Sequence, residues 1–569
     1  MTSVERFVPG LAAARSYERS WLGHDLVAGL VLTALLVPQG MAYAELAGLP
    51  AITGLYTSIM CLLAYAVFGP SRILVLGPDS SLGPMIAATI LPLAGADGDP
   101  AKAIALASML AVLVAVFMIG AGVAKLGFVA DLFSKPTQIG YMNGLALTIL
   151  VGQLPKLFGF SVDADGFLEE LRGFVRGVAD GDTLGAALAV GASGLAIILV
   201  LNKVAPKIPG VLVAVVGAIA VTVVFDLGGE GVPLVGQLPQ GFPPFTIPSV
   251  GWGDLTLLVA GALGITLVSL TDTISTSSAF AARTGQEVDA NQEMIGIGTA
   301  NLAAGLFQGF PVSTSGSRTA VAEQAGARSQ LTGVVGAAAI AAMLLFVPGL
   351  MKDLPQPVLA SVVIAASLSL ADIAATRRLW HQRRMEFGVS MVAFVGVALL
   401  GVLPGIGIAV IISILNVFRR MWRPYRTVLA EVDGLDGYHD VHEHPSGRRI
   451  PGLSLFRFDA PLVFANARTF RDEIRRLAAA EPKPIWILVA AEPITDVDTT
   501  AADMLEDLDE ELNQAGISLV FAEMKSPVQD KIDRYELTRT IDPAHFFPTL
   551  DDAVEAFRSQ HGDTPETNA

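Results

Sequence analysis

Phe310-Pro311-Val312-Ser313-Thr314-Ser315-Gly316-Ser317-Arg318 interrupts an otherwise apolar region, and a matching break, Gly77-Pro78-Asp79-Ser80-Ser81-Leu82-Gly83-Pro84, stands earlier in the chain. Each break follows a short extended stretch and precedes a hydrophobic run. A bilayer tolerates non-helical backbone only where protein or a watery cavity surrounds it. Two such breaks in corresponding positions of two halves point to the binding site of a transporter. A helix that starts in mid-membrane aims unpaired N–H groups and a positive dipole end inward, which suits an anion.

The composition around these breaks is that of a membrane protein. Only 16% of the 569 residues are charged, against about 25% in a soluble domain. Apolar runs near 26–46, 52–68, 81–94, 103–124, 137–154, 184–202, 209–225, 254–280, 292–309, 317–327, 331–349, 357–371, 387–402 and 405–419 predict about 14 spans. The runs opening at 81 and 317 are among the shortest. Arg6, Arg15 and Arg19 precede the first run, and most later basic residues can fall on that same side. The positive-inside rule then puts both termini in the cytoplasm and the protein in the inner (plasma) membrane. The segment 162–182 reads as an acidic loop on the other side.

The negative charge is concentrated at the C-terminal end. Residues 427–569 carry 13 basic and 28 acidic side chains, whereas residues 1–426 are nearly neutral. Such a tail repels nucleic acid and anionic lipid. Its texture is different too: Leu453–Phe458, Pro484–Val489 and Ile517–Ala522 read as strands, and Thr500–Ala515 and Leu550–Gln560 as helices. Strands alternating with helices make a small α/β domain. The expected division is 1–24 as an N-terminal segment, 25–426 as the membrane domain, 427–451 as a linker, 452–560 as the α/β domain, and 561–569 as a disordered tail. Cys61, the only cysteine, lies in an apolar run, which excludes an intramolecular disulfide. His439, His442 and His444 fall in the polar linker and read as solvated loop rather than a metal site. No phosphate-binding lysine loop and no Ser-His-Asp or Cys-His constellation is visible, so no enzymatic activity and no cofactor are expected.

Several stretches resemble the SulP (sulfate permease) family of anion transporters. Pro38-Gln39-Gly40-Met41-Ala42-Tyr43-Ala44-Glu45 through Pro50 and Gly54-Leu55-Tyr56 are similar to its signature. So are Asn291-Gln292-Glu293-Met294 through Pro311, Ser317-Arg318-Thr319-Ala320, and Ala325-Gly326-Ala327-Arg328. The tail resembles a STAS domain at Pro451-Gly452 through Phe458, Ala460-Pro461-Leu462, Phe464-Ala465-Asn466-Ala467 and Asp498-Thr499-Thr500-Ala501. The resemblance implies an all-α polytopic fold with a seven-plus-seven inverted repeat, whose core and gate domains are like those of uracil transporters. It also implies an anion site between the first, third, eighth and tenth spans, a homodimer, and a cytoplasmic STAS domain able to bind a partner.

The candidate residues have plain structural alternatives. Asp272 sits well inside a hydrophobic helix, with Thr276 one turn on and sharing its face. Together they can hold Na⁺, or the carboxyl can carry a proton; the alternative is a hydrogen-bond hub between helices. The family's bicarbonate-carrying branch looks like Asp-Ser-Leu-Leu-Thr here, which favours Na⁺ coupling. Ser313, Thr314, Ser315, Gly316 and Ser317 can replace an anion's hydration shell or simply cap a helix. Arg318 adds positive charge or pairs with a carboxylate. Ser80 and Ser81 can donate to the anion. Asp79 is an N-cap or a second proton site. Gln39 and Tyr43 share a face that can line the cavity or pack. Glu45 lies near the end of the first span, as a solvated carboxylate or a coupling group. Thr499 fits a STAS phosphorylation position, although Asp498-Thr499 is also an ordinary helix start. These residues point to a secondary-active carrier of a small anion, sulfate or bicarbonate first and a dicarboxylate after them, driven by Na⁺ or H⁺. The rival readings are a nucleobase carrier of the same fold and a membrane-tethered scaffold that no longer transports.

Overall fold

Long runs of Leu, Val, Ile and Ala satisfy their backbone groups internally as helices, and each of the apolar runs contains one. The structure is a computed structural model; it describes residues 8–95, 99–127, 134–162, 164, 166–205, 208–284 and 288–562. Among these, fourteen helices correspond to the fourteen runs. They are α1 (Leu22–Leu46), α2 (Ala51–Phe68), α3 (Gly83–Ala94), α4 (Pro100–Val123), α5 (Lys135–Phe158), α6 (Gly185–Val204) and α7 (Gly210–Phe225). The second seven are α8 (Trp252–Thr284), α9 (Ala290–Leu306), α10 (Gly316–Gln324), α11 (Leu331–Phe346), α12 (Gln356–Leu370), α13 (Arg384–Leu400) and α14 (Val402–Trp422). Seven described helices are long and apolar enough to cross a membrane by themselves; α3, α7 and α11 are shorter apolar helices.

The third member of each set of seven is built alike. Strand β1 (Leu76–Gly77) leads into α3, and strand β2 (Ser313–Thr314) leads into α10. The two strands pair antiparallel, Leu76 opposite Thr314 and Gly77 opposite Ser313. Because seven is odd, the second set enters the bilayer from the side opposite to the first, which is the seven-plus-seven inverted repeat. Packing sorts the helices into two groups. Helices α1–α4 pack with α8–α11, and α5–α7 pack with α12 and α13. Small residues allow these approaches. A Cβ added at Gly54 would lie 1.9 Å from the Gly40 carbonyl oxygen, and one at Gly140 would lie 1.9 Å from that of Ser390.

The segment 162–182, expected to be a loop, contains a helix at Phe167–Asp180. Its apolar residues recur at helical spacing, but acidic neighbours dilute the hydropathy.

The chain divides into two compact units, Met1–Ser413 and Ile414–Ala569. The second unit holds a six-stranded sheet in the order β4-β3-β5-β6-β7-β8. The strands are β3 (Arg426–Glu431), β4 (Tyr438–Asp440), β5 (Leu453–Phe458), β6 (Trp486–Ala490), β7 (Ser518–Ala522) and β8 (Phe546–Phe547). Strands β5 to β8 run parallel, and β3 is antiparallel to both neighbours. Four helices join them: α15 (Ala467–Ala478), α16 (Thr499–Gln514), α17 (Ser526–Arg534) and α18 (Leu550–His561). Alternation along β6 sends Ile487 and Val489 into the core beneath α15, α16 and α17, and Trp486 and Leu488 into the core beneath α18.

The expected linker 427–451 is therefore corrected. It contributes β3 and β4 to the sheet, and Glu431 bridges Arg448. Thr427 and Leu429 are buried while Val428 is half-buried, a strand pattern too short to stand out among polar residues. The first span also starts at Leu22 rather than at residue 25. Most of the expected disordered tail, 563–569, lies outside the described residues.

Candidate functional site

Both breaks are held by their own side chains and by each other. In the first, Asp79 Oδ1 accepts from Ser81 N at 2.9 Å and from Ser81 Oγ at 2.8 Å, which closes the turn into α3. In the second, Ser315 is the N-cap of α10; its Oγ accepts from Arg318 N at 3.5 Å and lies 3.1 Å from Ser317 Oγ. Between the breaks, Ser315 N donates to Val75 O at 3.1 Å, and Val75 N donates to Thr319 Oγ1 at 3.0 Å. Helices α8 and α9 support β2. Ser269 donates to Val312 O at 3.1 Å, and Asn301 Oδ1 accepts from Val312 N at 2.9 Å. Non-helical backbone deep in the apolar region is thus satisfied by protein, as a bilayer requires.

A cavity of about 580 Å³ opens where the two helix starts face each other. Ser80 and Ser81 from the first break line it, as do Thr314, Ser315, Gly316, Ser317 and Arg318 from the second. Helix α1 contributes Gln39 and Tyr43, and α8 contributes Asp272 and Thr276. Tyr43 and Ser80 are hydrogen-bonded. The opposite wall comes from the other helix group: Gln138 and Met142 of α5, Asn202 of α6, and Val362 and Ser369 of α12. A cleft of similar size between α3, α8 and α14 is lined almost wholly by carbon and offers an anion no donor.

Arg318 is the buried cation of the site, 1% exposed. Its Nη1 donates to Pro78 O at 2.6 Å, and Nη2 lies 3.7 Å from Asp79 Oδ2. Nε and Nη2 have no hydrogen-bond partner among the described residues, an unusual state for a buried guanidinium. Gly77 makes room for it: a Cβ there would come within 3.0 Å of Nη1. Ser81 Oγ also lies 3.2 Å from Asp272 Oδ2, so one hydroxyl stands between two carboxylates. A hydroxyl has a single proton and can donate to only one of them at a time. With both ionised, the second contact sets oxygen against oxygen, and a proton or a small cation relieves it.

Twelve of the expected residues line this cavity: Gln39, Tyr43, Asp79, Ser80, Ser81, Asp272, Thr276, Thr314, Ser315, Gly316, Ser317 and Arg318. Two do not. Ser313 is buried on the other side of β2, because successive strand residues point to opposite faces. Glu45 lines a separate cavity of about 450 Å³ at the far end of α1, with Lys156, Gln237 and Gln356. Asp79, expected as an N-cap or a second proton site, closes the turn before α3 through Ser81 and lines the cavity, while the N-cap position of α3 is Leu82. Gln138, Asn202 and Ser275 line the site and were not anticipated. Ser275 follows Asp272 by three positions on one helix face, a signal the sequence did carry; Gln138 and Asn202 sit in helices with no mark of a site.

In the second unit, Thr499 is exposed at the first position of α16. Asp498 caps that helix through Ala501 N at 2.8 Å and also accepts from Phe464 N at 2.7 Å. Among the described residues no group of three His, Cys, Asp or Glu is placed to hold a metal ion.

Paired broken helices around a donor-lined pocket, in a bundle of fourteen, define a membrane transport protein for anions. The model of the sulfate permease family matches residues 22–393, and that of the STAS domain matches residues 444–553. The chain belongs to the sulfate permease family and carries a C-terminal STAS domain. A probable sulfate transporter of Mycobacterium tuberculosis is 40% identical over 553 residues, covering 97% of this chain and 98% of the relative. The murine Solute Carrier 26 family member A9 anion transporter, solved in the inward-facing state, superposes with a TM-score of 0.90 at 25% identity, covering 98% of this chain and 94% of that one. The transmembrane domain of a cyanobacterial bicarbonate transporter, BicA, has the same fold, with a TM-score of 0.60 at 20% identity over 70% of this chain and 98% of that one. The protein is accordingly a multi-pass membrane transporter of anions and not an enzyme.

Proposed function

We propose that this chain is a secondary-active carrier of a small oxyanion, sulfate or bicarbonate ahead of a dicarboxylate, working by alternating access and driven by H⁺ or Na⁺. The observation that carries this reading is the convergence of two helix starts, with Ser80, Ser315 and Ser317, on one cavity that also contains the Asp79–Ser81–Asp272 cluster. Helix N-termini and the unsatisfied nitrogens of Arg318 supply positive potential for the anion. The carboxylate pair sharing one hydroxyl supplies the place for the driving ion, with Thr276 as a further oxygen ligand. Sulfate is placed first because of the name of the mycobacterial relative. The same reading has the protein as a homodimer in the plasma membrane with both termini in the cytoplasm, where the STAS domain is free to meet a partner.

Proteoliposome uptake of labelled sulfate and bicarbonate, each under a Na⁺ or a pH gradient and in competition with fumarate and uracil, tests it. Asp272→Asn is expected to abolish gradient-driven accumulation while leaving anion counterflow in place. Undiminished accumulation by that variant under both gradients removes Asp272 from the mechanism. Uptake blocked by uracil and indifferent to sulfate and bicarbonate returns the nucleobase reading.

A further inference from the structure

The helix Phe167–Asp180, between α5 and α6, has two faces of different character. Phe174 packs edge-on against Phe158 with ring centroids 5.0 Å apart, and stacks on Phe160 at 6.0 Å. Gly173 and Gly177 bring the helix close to Val162 and Phe160; a Cβ at either would fall within 2.6 Å of those side chains. These contacts fix how the helix is rolled against α5. They leave Leu168, Leu171, Val175 and Val178 on the outside, with Leu168 59% and Val175 58% exposed. The spacing of these four residues puts them on one stripe. Beside the stripe, Arg172 and Arg176 lie one turn apart, exposed and without an ion pair or hydrogen bond among the described residues.

The chain leaves the membrane at Phe158 and re-enters it at Gly185, so this helix lies at the bilayer surface, on the side where α5 ends. A soluble surface rarely shows an unbroken aliphatic stripe, but a helix lying in the plane of the headgroups requires one, flanked by basic residues. We propose that this helix is an interfacial anchor. Its aliphatic stripe sits at the headgroup–acyl boundary, and Arg172 and Arg176 bind the phosphates of anionic phospholipid. The occupant is the bilayer, because the helix joins the end of α5 to the start of α6 and its exposed stripe is wholly aliphatic; Glu169, Glu170 and Asp180 of the same helix offer counter-charge to a second copy, and that occupant is an outcome of the test.

Cys61 is fully buried, so a fluorophore on a Val175→Cys protein reports one position. The full-length protein is labelled with an environment-sensitive dye and reconstituted in phosphatidylcholine, alone or mixed with phosphatidylglycerol. The expected emission is shifted to the blue of the same label on Glu230→Cys, in an exposed loop, and is quenched by spin-labelled lipid but protected from iodide. Added phosphatidylglycerol is expected to deepen the shift, and Arg172→Gln with Arg176→Gln to abolish that increment. Iodide quenching equal to that at position 230 overturns the anchor. Excimer emission from a pyrene at position 175 overturns the choice of occupant in favour of a second copy. An increment that survives loss of both arginines overturns the phosphate contact. None of these readouts depends on which anion is carried.

Discussion

Two glycines of the site make opposite demands, and substitution separates them. Gly77 lies against the Arg318 guanidinium, and a methyl there must push the cation away from Pro78 O or distort the strand pair. Gly77→Ala is expected to weaken anion binding about tenfold, or about 1.4 kcal/mol, read as a rise in KM for uptake. At Gly316 the nearest atom to a new methyl is Thr276 Cγ2 at 3.9 Å, an ordinary contact, so the bundle accepts it. Gly316→Ala is expected to keep its thermal stability while losing transport, because the methyl occupies the space beside the helix start. Equal loss of stability in both variants would mean that Gly316 is held by packing. At this scale the sequence told a good deal. A polar residue inside an apolar run is costly and so conspicuous, and Asp272 and the serines of both breaks stood out for that reason. Ser313 and Ser315 look alike in sequence, yet Ser313 belongs to the strand pair and is wholly buried, whereas Ser315 lies past the end of β2 as the N-cap of α10 and lines the cavity. Gln138 and Asn202 reach the site only through helix packing, which hydropathy does not encode.

Single elements differ in how plainly they announce themselves. Fourteen spans were legible because the bilayer enforces length and apolarity. The strand β3 and the helix at Phe167–Asp180 were not, since each is short and mixes charge with its apolar residues. Helix α16 carries a conflict of its own: Asp509 is 1% exposed among Leu505, Leu508 and Leu512, and Asn513 donates to it at 2.9 Å. Burial pushes its carboxyl up from 3.8 to about 6. The folded domain therefore holds this proton more tightly than the unfolded chain. Its stabilising contribution is complete below about 4 and is lost as pH rises through about 6. Asp496, held by Lys531, and Glu473, held by Arg426 and Arg476, are shifted down and act oppositely: their contributions are lost only as pH falls below the ordinary carboxylate range. Thermal unfolding of the STAS domain is expected to peak at mildly acidic pH. Asp509→Asn is expected to flatten the slope between pH 4 and 6 and to add about 1–2 kcal/mol at neutral pH. A variant less stable than the parent at pH 7.5 would show that the carboxylate is compensated by contacts other than Asn513.

For the whole molecule, the acidic second unit has its own two cores, one on each face of its sheet, and every residue of the transport cavity belongs to the first unit. A chain ending at Trp422 is expected to retain anion flux in proteoliposomes, with any loss of regulation appearing in rate rather than in substrate choice. Complete loss of flux from a correctly inserted truncated protein would give the STAS domain a direct part in transport. The sorting of thirteen of these helices into two packed groups was legible only through the family resemblance, which implied core and gate domains; hydropathy does not carry it, because the close approaches are made by glycines and alanines that look alike everywhere.

The backbone stitching between Val75 and Ser315, with the strand pair beside it, has one more consequence. Both rims of the proposed anion berth are sewn to each other and to one packed group of eight helices. The berth cannot be pried apart like jaws to free its passenger. Under the alternating access proposed above, it is ferried whole past the wall of α5, α6 and α12, and what changes on the journey is which shore it faces.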